Sequence, residues 1–188
     1  MRVSDARNGR SNARDVRRRR HSRQASSWLV QSTTSRIRRS GFQVIHNGIG
    51  LSIFDVQSDD KAVREKYGLG EKKIILGLAS IWSKEKGLDD FVKMSGMLNE
   101  DEVIVMVGVS EEQQKSLPKN IVAIRRTENV RQLAELYSAA TAFVNPTWQD
   151  NYPTVNLEAI ACGTPVVTYR TGGSIEVITD DTGRIVEQ

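Results

Sequence analysis

A regular alternation of apolar runs and helical segments after residue 72 is the feature that most constrains the fold. Between the runs, “EKGLDDFVKMSGML” (85–98) and “TENVRQLAELYSAA” (127–140) space their apolar residues as helices do, and “SEEQQKSL” (110–117) opens with a capping serine. Apolar strands alternating with helices predict a parallel sheet covered on both faces. We therefore expect an α/β fold with a doubly wound, Rossmann-like parallel sheet. The predicted strands are “KKIILGLA” (72–79), “DEVIVMVG” (101–108), “NIVAI” (120–124), “TAFVNP” (141–146) and “PVVTY” (165–169).

Sheets of this kind bind their ligands beyond the carboxyl ends of the strands, where the strand order reverses. We place this point between the first strand, which ends near residue 78, and the fourth, which ends near residue 144. The loops that follow these strands are “SIWSKEKG” and “TWQDNYP”. The sequence therefore predicts a binding site between these two loops.

Residues 1–24 differ in composition from the rest of the chain. They carry nine of the 27 basic residues and two of the 23 acidic ones, which leaves 18 basic and 21 acidic residues elsewhere. The net charge of +4 therefore comes from this arm, which has too few apolar residues to fold and is predicted to be disordered. Its run “RRRRH” is compatible with binding to nucleic acid or anionic lipid, but no aromatic residues lie between the arginines as a stacking platform. We therefore favour a solvated tail and no nucleic-acid partner.

Residues 25–71 contain predicted elements outside the alternating region. “SSWLVQSTTSRIRRSG” (26–41) is typical of a short helix that is ended by a glycine. “FQVIHNGIG” (42–50) is typical of a strand that runs into a turn. A further helix is expected around residues 59–67. No apolar run approaches the roughly 20 residues of a membrane span, and the single cysteine, Cys162, excludes an internal disulfide. The chain is therefore expected to be soluble, in a reducing compartment.

The segment “DNYPTVNLEAIACG” after the fourth strand predicts a helix that starts at a binding site. Pro153 suits the first helical position, where a missing N–H has no cost. The backbone N–H groups of Thr154 and Val155 would then favour an anion, typically phosphate. Asp150 lies just before this helix and Glu158 about one turn into it, with a side chain that leans back towards the N-terminus.

The two carboxylates suit neutral hydroxyl groups rather than the anion itself. A carboxylate accepts two hydrogen bonds from a vicinal diol, and a sugar nucleotide has a ribose diol on one side of its diphosphate and a hexose on the other. One interpretation is that Asp150 and Glu158 each hold one sugar of such a ligand. The alternative is that Asp150 caps the helix and Glu158 is solvated, and the spacing alone leaves both interpretations open.

Two further segments complete the predicted site. Lys86 precedes Gly87 at the start of a helix and suits a diphosphate as a point charge, with Lys84 as a substitute and an ordinary surface lysine as the simpler interpretation. Gly172 and Gly173 would let a ligand approach the backbone closely, although a plain turn after a strand also explains them. No spacing of residues typical of a metal site is present, so no metal is expected.

Four motifs, “IHNGI”, “EKGLDDF”, “RQLAELYSAATAFVNPT” and “DNYPTVNLEAIACGTPVVTYRTGG”, resemble those of the retaining family-4 glycosyltransferases, which have two Rossmann-like domains in the glycosyltransferase B fold. The resemblance covers residues 25–188. It implies that residues 72–188 are the C-terminal nucleotide-sugar-binding domain, incomplete at its end, and that residues 25–71 are a remnant of the N-terminal domain and a linker. Many members of this family build bacterial capsule, exopolysaccharide or lipopolysaccharide.

The resemblance assigns a role to each part of the site. The family's pair of acids falls on Asp150, for the hydroxyls of the donor sugar, and on Glu158, for the ribose, while its phosphate-binding lysine falls on Lys86. Asp150 is one methylene shorter than the family's Glu, and “SIW” stands where the family usually has an Arg. The other donor-binding positions are Asn151, Tyr152, Thr154 and Val155 for the diphosphate and sugar, and Arg125 and Thr127 for the base.

The resemblance also implies a reaction, namely the transfer of a hexose with retention from a UDP- or GDP-sugar to a glycan or lipid-linked acceptor. No metal ion is needed, and the expected location is the cytoplasm or the inner face of the membrane. The acceptor would bind the family's N-terminal domain, which is matched here only in its last helix and strand. We therefore expect this chain to bind the donor with little or no turnover and to self-associate through an uncovered face. The alternatives are a non-catalytic nucleotide-sugar-binding module and a sugar-nucleotide epimerase of related fold.

Overall fold

The structure is a computed structural model that describes residues 43–188. The predicted arm (1–24) and the predicted helix (26–41) therefore lie outside the described residues. Residues 47–188 form one compact unit, and residues 43–46 belong to a separate N-terminal unit. Within 42–50, the strand predicted to run into a turn is wrong over the described residues, because residues 43–50 have no regular secondary structure. A strand needs a partner for its backbone N–H and C=O groups, and no strand of the described sheet pairs with this segment.

The other predicted elements of the described region form close to their expected positions. Ser110 begins its helix with a capping box, in which its side chain and that of Gln113 each accept a hydrogen bond from the other residue's backbone N–H. The helices are α1 (Lys61–Tyr67), α2 (Leu88–Ser95), α3 (Glu111–Ser116), α4 (Val130–Ala139) and α5 (Thr154–Ala161), with a 3₁₀ turn over Gly172–Ile175. The strands are β1 (Lys73–Leu78), β2 (Glu102–Val107), β3 (Ile121–Ile124), β4 (Ala142–Asn145), β5 (Val166–Tyr169) and β6 (Gly183–Val186).

The strands form one parallel sheet in the order β3-β2-β1-β4-β5-β6. Leu76 of β1 pairs with Val105 of β2 on one side and with Phe143 of β4 on the other. The predicted doubly wound α/β fold is therefore confirmed. The strand order reverses between β1 and β4, as expected, so the loops after these two strands flank the crevice where such sheets bind ligands.

Apolar side chains cover both faces of the sheet. On one face, Leu76 and Phe143 pack against helix residues that include Leu136 and Tyr137 of α4. The rings of Tyr137 and Phe143 meet edge to face, with their centroids 5.3 Å apart. On the other face, the core includes Phe91 of α2, whose ring lies edge to face against Trp82. Each large side chain buried in this way contributes about 1.5–3 kcal/mol to folding, so the core rigidly supports the loops at the carboxyl edge.

Candidate functional site

Three loops meet at the carboxyl edge of the sheet, and hydrogen bonds to backbone carbonyls join them. The N–H of Trp148, after β4, donates to the carbonyl of Glu85, after β1, at 2.8 Å. The hydroxyl of Thr171, after β5, donates to the carbonyl of Thr147 at 2.8 Å. The loops after β1, β4 and β5 therefore form one fixed surface at the point where the strand order reverses.

The side chains of Lys86 and Asp150 meet across this surface. The Lys86 Nζ donates to Oδ2 of Asp150 at 2.9 Å, and the two side chains are 39% and 21% exposed. Gly87 allows the loop after β1 to approach the loop after β4 closely. Its φ is +79°, and a Cβ there would lie 2.4 Å from the Cγ of Pro146. The sequence predicted that both charged residues belong to the site, but it did not predict that they form an ion pair with each other.

Asp150 does not cap helix α5. The N-cap is Pro153, with no side-chain hydrogen bond, and the helix begins at Thr154, one residue later than expected. Instead, Oδ1 of Asp150 accepts a hydrogen bond from the N–H of Tyr152 at 3.2 Å. The alternative in which Asp150 serves as a helix cap is therefore wrong, and its carboxylate lies between Lys86 and the loop backbone.

Hydrogen bonds of buried asparagine side chains hold the start of α5 in place. Asn145 Nδ2 donates to Oδ1 of Asn156 at 2.9 Å, and Asn156 Nδ2 donates to the carbonyl of Ser174 at 3.2 Å. Both asparagines are buried. Thr154 and Val155, half-buried in the first turn, present their N–H groups outward from this fixed end, and Asn151 is exposed just before it.

Gly172 and Gly173 lie directly against the loop that carries Asp150. A Cβ at Gly172 would stand 2.0 Å from the carbonyl oxygen of Asp150, and one at Gly173 would stand 1.7 Å from that of Asn151. The N–H of Gly173 also donates to the carbonyl of Asp150 at 3.0 Å. The protein's own backbone therefore accounts for both glycines, and their contact with a ligand stays a prediction.

Glu158 lies in the second turn of α5, half-buried and held by neighbouring hydroxyls. Its Oε2 accepts a hydrogen bond from the hydroxyl of Tyr137 at 3.1 Å. Burial raises the pKa of the Glu158 carboxyl above its usual range, and hydrogen bonds from Tyr137 and Thr154 partly offset this effect. The fully solvated alternative for Glu158 is therefore wrong. Sequence reasoning counted Tyr137 only as an apolar helix residue, although a buried tyrosine hydroxyl usually has a polar partner.

A cavity of about 550 Å³ opens beside this surface, at the ends of β1, β2 and β3. Arg125, expected near the base, lines it, whereas Thr127 does not. Arg125 is exposed and forms an ion pair with Glu111 of α3. Gln113 also lines the cavity, and its Nε2 donates to the carbonyl of Trp82 at 2.8 Å. The remaining lining residues are Ser80, Ile81, Gly108, Val109, Ser110 and Arg126. Ser80 and Ile81 belong to a loop that the sequence predicted to flank the site, and Arg126 lies between the two positions predicted for the base. The contribution of Gly108, Val109 and Ser110, from the loop after β2, was not predicted.

Lys84 and Lys86 have different surroundings, although either could serve as the cation. Lys84 Nζ lies 5.9 Å from the centroid of the Trp148 ring. Lys86 instead contacts Asp150, next to the start of α5. Of the two lysines, Lys86 is therefore the one that the fold places beside the predicted anion site.

The described residues contain neither a candidate metal site nor a candidate membrane span. Within residues 43–188, no group of three or more His, Cys, Asp or Glu side chains is arranged to hold a metal ion. None of the helices in that range is long and apolar enough to cross a bilayer.

The fold is shared with several solved structures. Sucrose-phosphate synthase from Thermosynechococcus elongatus superposes with a TM-score of 0.70 at 24% identity, over 88% of this chain and 43% of that one. HepE from Anabaena, solved in complex with UDP-glucose, superposes with a TM-score of 0.69 at 17% identity, over 88% of this chain and 48% of that one. At these identities the likeness shows the fold alone.

Sequence comparison identifies the family. A D-inositol 3-phosphate glycosyltransferase of Mycobacterium sp. (strain JLS) is 27% identical over 161 residues, which cover 79% of this chain and 36% of that protein. The chain therefore spans about a third of the length of this relative. The family described as glycosyl transferases group 1 matches residues 72–188, well over half of the chain. This chain belongs to the glycosyl transferases group 1 family.

Proposed function

We propose that this chain is the donor-binding part of a retaining family-4 glycosyltransferase, which transfers a hexose from a nucleotide diphosphate sugar to a glycan or lipid-linked acceptor. The observation that carries the proposal is the placement of Lys86 and Asp150 together beside the N-terminus of α5. A cation and outward-facing helix amides favour a diphosphate. The carboxylates of Asp150 and Glu158 suit the hydroxyls on either side of it.

The parts of the donor are assigned from these surroundings. The diphosphate binds Lys86 and the amides at the start of α5, and the ribose diol binds Glu158. The donor sugar binds Asp150, and the base enters the cavity lined by Arg125. HepE, which has a similar fold, was solved with UDP-glucose, and this supports a nucleotide sugar as the ligand class.

Charge stabilisation is the main catalytic contribution of these residues. When the bond between the anomeric carbon and the diphosphate oxygen breaks, its electron pair stays on that oxygen. Lys86 and the helix amides then stabilise the negative charge of the departing diphosphate. Since these groups supply positive charge and hydrogen-bond donors, the proposal requires no metal ion. The acceptor hydroxyl bonds to the anomeric carbon on the face that the diphosphate leaves, and its proton passes to the departing diphosphate.

A second candidate function is donor binding without turnover. This chain spans only 36% of the mycobacterial glycosyltransferase, so acceptor binding is assigned to sequence that the relative has beyond the matched part. We also propose that the whole protein works in the cytoplasm or at the inner face of the membrane, and that the donor-binding part self-associates. The family match favours a glycosyltransferase or its donor-binding part over a sugar-nucleotide epimerase.

The test is a thermal-shift screen of the full 188-residue chain with UDP-glucose, other UDP- and GDP-sugars, UDP and GDP, with ATP as the comparison. A ligand that binds only the folded state must raise the melting temperature, so we expect a rise with one nucleotide class and its sugars. No rise with any of them would contradict the proposal. A turnover assay with the selected sugar and a glycan acceptor then separates the enzyme from the binding module.

A further inference from the structure

We propose that Tyr137 is a positioning residue for Glu158, and that its buried hydroxyl fixes the carboxylate in the orientation that accepts the ribose hydroxyls. The inference rests on the proposed function, in which Glu158 binds the ribose. The observation behind it is the hydrogen bond from the Tyr137 hydroxyl to Oε2 of Glu158, 3.1 Å long, which links α4 to α5.

The surroundings of Tyr137 hold its hydroxyl in place. The side chain is fully buried. Its ring contacts Phe143 and Phe54 edge to face, with centroids 5.3 Å and 6.2 Å away. Its backbone carbonyl accepts a hydrogen bond from the hydroxyl of Thr164. The core of the domain therefore fixes the direction in which this hydroxyl points, and Glu158 is its partner there.

The hydrogen-bonding capacity of Glu158 leaves room for a ligand. An ionised carboxylate has about four acceptor positions. Tyr137 occupies one, and the hydroxyl of Thr154 also bonds to this carboxylate. The remaining positions can accept both hydroxyls of a vicinal diol. Burial and the charge of Glu158 raise the pKa of Tyr137 well above its usual value, so Tyr137 remains a protonated donor.

This arrangement makes the ionisation of Glu158 depend on Tyr137. The other titratable group next to the carboxylate is Cys162 at the end of α5, and burial raises the pKa of its thiol to about 11, so it is neutral. Asp55, before α1, also faces Cys162. Burial raises the pKa of Glu158, and the hydrogen bond from Tyr137 lowers it. Loss of the hydroxyl should therefore raise this pKa further, so that the ionised form is populated only at higher pH.

The test compares Tyr137→Phe with a matched control in the full chain. Tyr67→Phe also removes a hydroxyl bonded to a helix neighbour, since Tyr67 donates to Oε1 of Gln132 at 3.2 Å, away from Glu158. Carboxyl ¹³C NMR of the free protein follows the titration of Glu158, whose signal is identified by its loss in Glu158→Gln. Calorimetry with UDP and GDP measures affinity at acidic and neutral pH.

We expect Tyr137→Phe to move the Glu158 titration to higher pH and to weaken nucleotide binding about tenfold at acidic pH, with a smaller loss at neutral pH. Tyr67→Phe should change neither. Thr154→Val, which removes the other hydroxyl, should move the titration in the same direction and supports the inference if Tyr137→Phe folds poorly. An unchanged titration in Tyr137→Phe, or an affinity loss that is equal at every pH, overturns the inference. If the wild-type protein binds neither nucleotide, the proposed function is overturned instead. The NMR titration needs no ligand, so it still shows whether the Tyr137 hydroxyl controls the ionisation of Glu158.

Discussion

Lys86 and Asp150 are 64 positions apart in the chain, yet the ammonium of one lies 2.9 Å from the carboxylate of the other. They stand on the two loops that flank the reversal of the strand order, after β1 and β4. Both side chains are partly exposed, so their ion pair stabilises the fold by no more than about 1 kcal/mol. We therefore expect this ion pair to affect ligand binding more than stability, because the two residues are assigned to different parts of the donor.

Asp150→Asn should separate binding of the sugar from binding of the diphosphate. The change removes the carboxylate that we assign to the donor sugar, and it frees Lys86 for the diphosphate. We expect UDP to bind as well as in the wild type or up to about threefold tighter, while the preference for UDP-glucose over UDP falls. Calorimetry with both ligands, or with their GDP counterparts if the screen selects GDP, measures this.

The control for Asp150→Asn is Asp101→Asn, which breaks an ion pair 2.8 Å long between Asp101, just before β2, and Lys73, the first residue of β1. This ion pair lies at the amino ends of the strands, away from the site. Asp101→Asn should change neither affinity. If Asp150→Asn weakens UDP and UDP-glucose binding equally, Asp150 does not contact the donor sugar.

Lys86→Ala should weaken binding of the diphosphate itself. Loss of a hydrogen bond to a charged group costs about 1.5–3 kcal/mol, which corresponds to roughly ten- to a hundredfold in the Kd for UDP. Lys84→Ala should have a smaller effect, since Lys84 lies over Trp148. Lys73→Ala, at the opposite edge of the sheet, is the control for a change in net charge. A larger loss with Lys84→Ala than with Lys86→Ala would reverse the assignment.

Gly173→Ala should disrupt the loop that carries Asp150. The new Cβ would stand 1.7 Å from the carbonyl oxygen of Asn151, so that the loop must move. Overpacking of this kind costs about 1–3 kcal/mol, and we expect the free energy of unfolding in urea to fall by that amount together with nucleotide affinity. Gly48→Ala is the matched control, because no atom lies within 4 Å of a Cβ there. Equal stability of the two variants would argue against the close contact.

Glu158→Gln should stabilise the protein at neutral pH while weakening nucleotide binding. Burial raises the pKa of Glu158, so the folded state favours the protonated form and the ionised carboxylate lowers the free energy of unfolding at neutral pH. The amide removes this cost. The gain should shrink as the pH falls through the raised pKa and vanish below the ordinary value of 4.5. Thermal unfolding of both proteins across this range checks the prediction, and a gain that grows towards acidic pH would contradict it.

The sequence by itself determined the sheet, its helices and the position of the crevice. These features depend on local patterns, namely apolar runs for the strands, helical spacing, and a capping serine at Ser110 whose partners lie within one turn. The strand predicted to run into a turn within 42–50 does not form over residues 43–50. A strand needs a neighbouring strand for its backbone hydrogen bonds, and the local sequence does not show whether one is present. Lys86, Asp150 and Glu158 were identified as candidates because their positions next to strand and helix ends can be predicted from the same patterns.

Only the tertiary structure decided which of these groups touch. It paired Lys86 with Asp150, joined Tyr137 to Glu158 across two helices, and set Gly173 against the backbone of Asn151. The physical reason is that a parallel sheet places the carboxyl ends of distant strands side by side, and side chains there take partners by distance and direction. A sequence pattern records neither quantity for residues that are far apart along the chain.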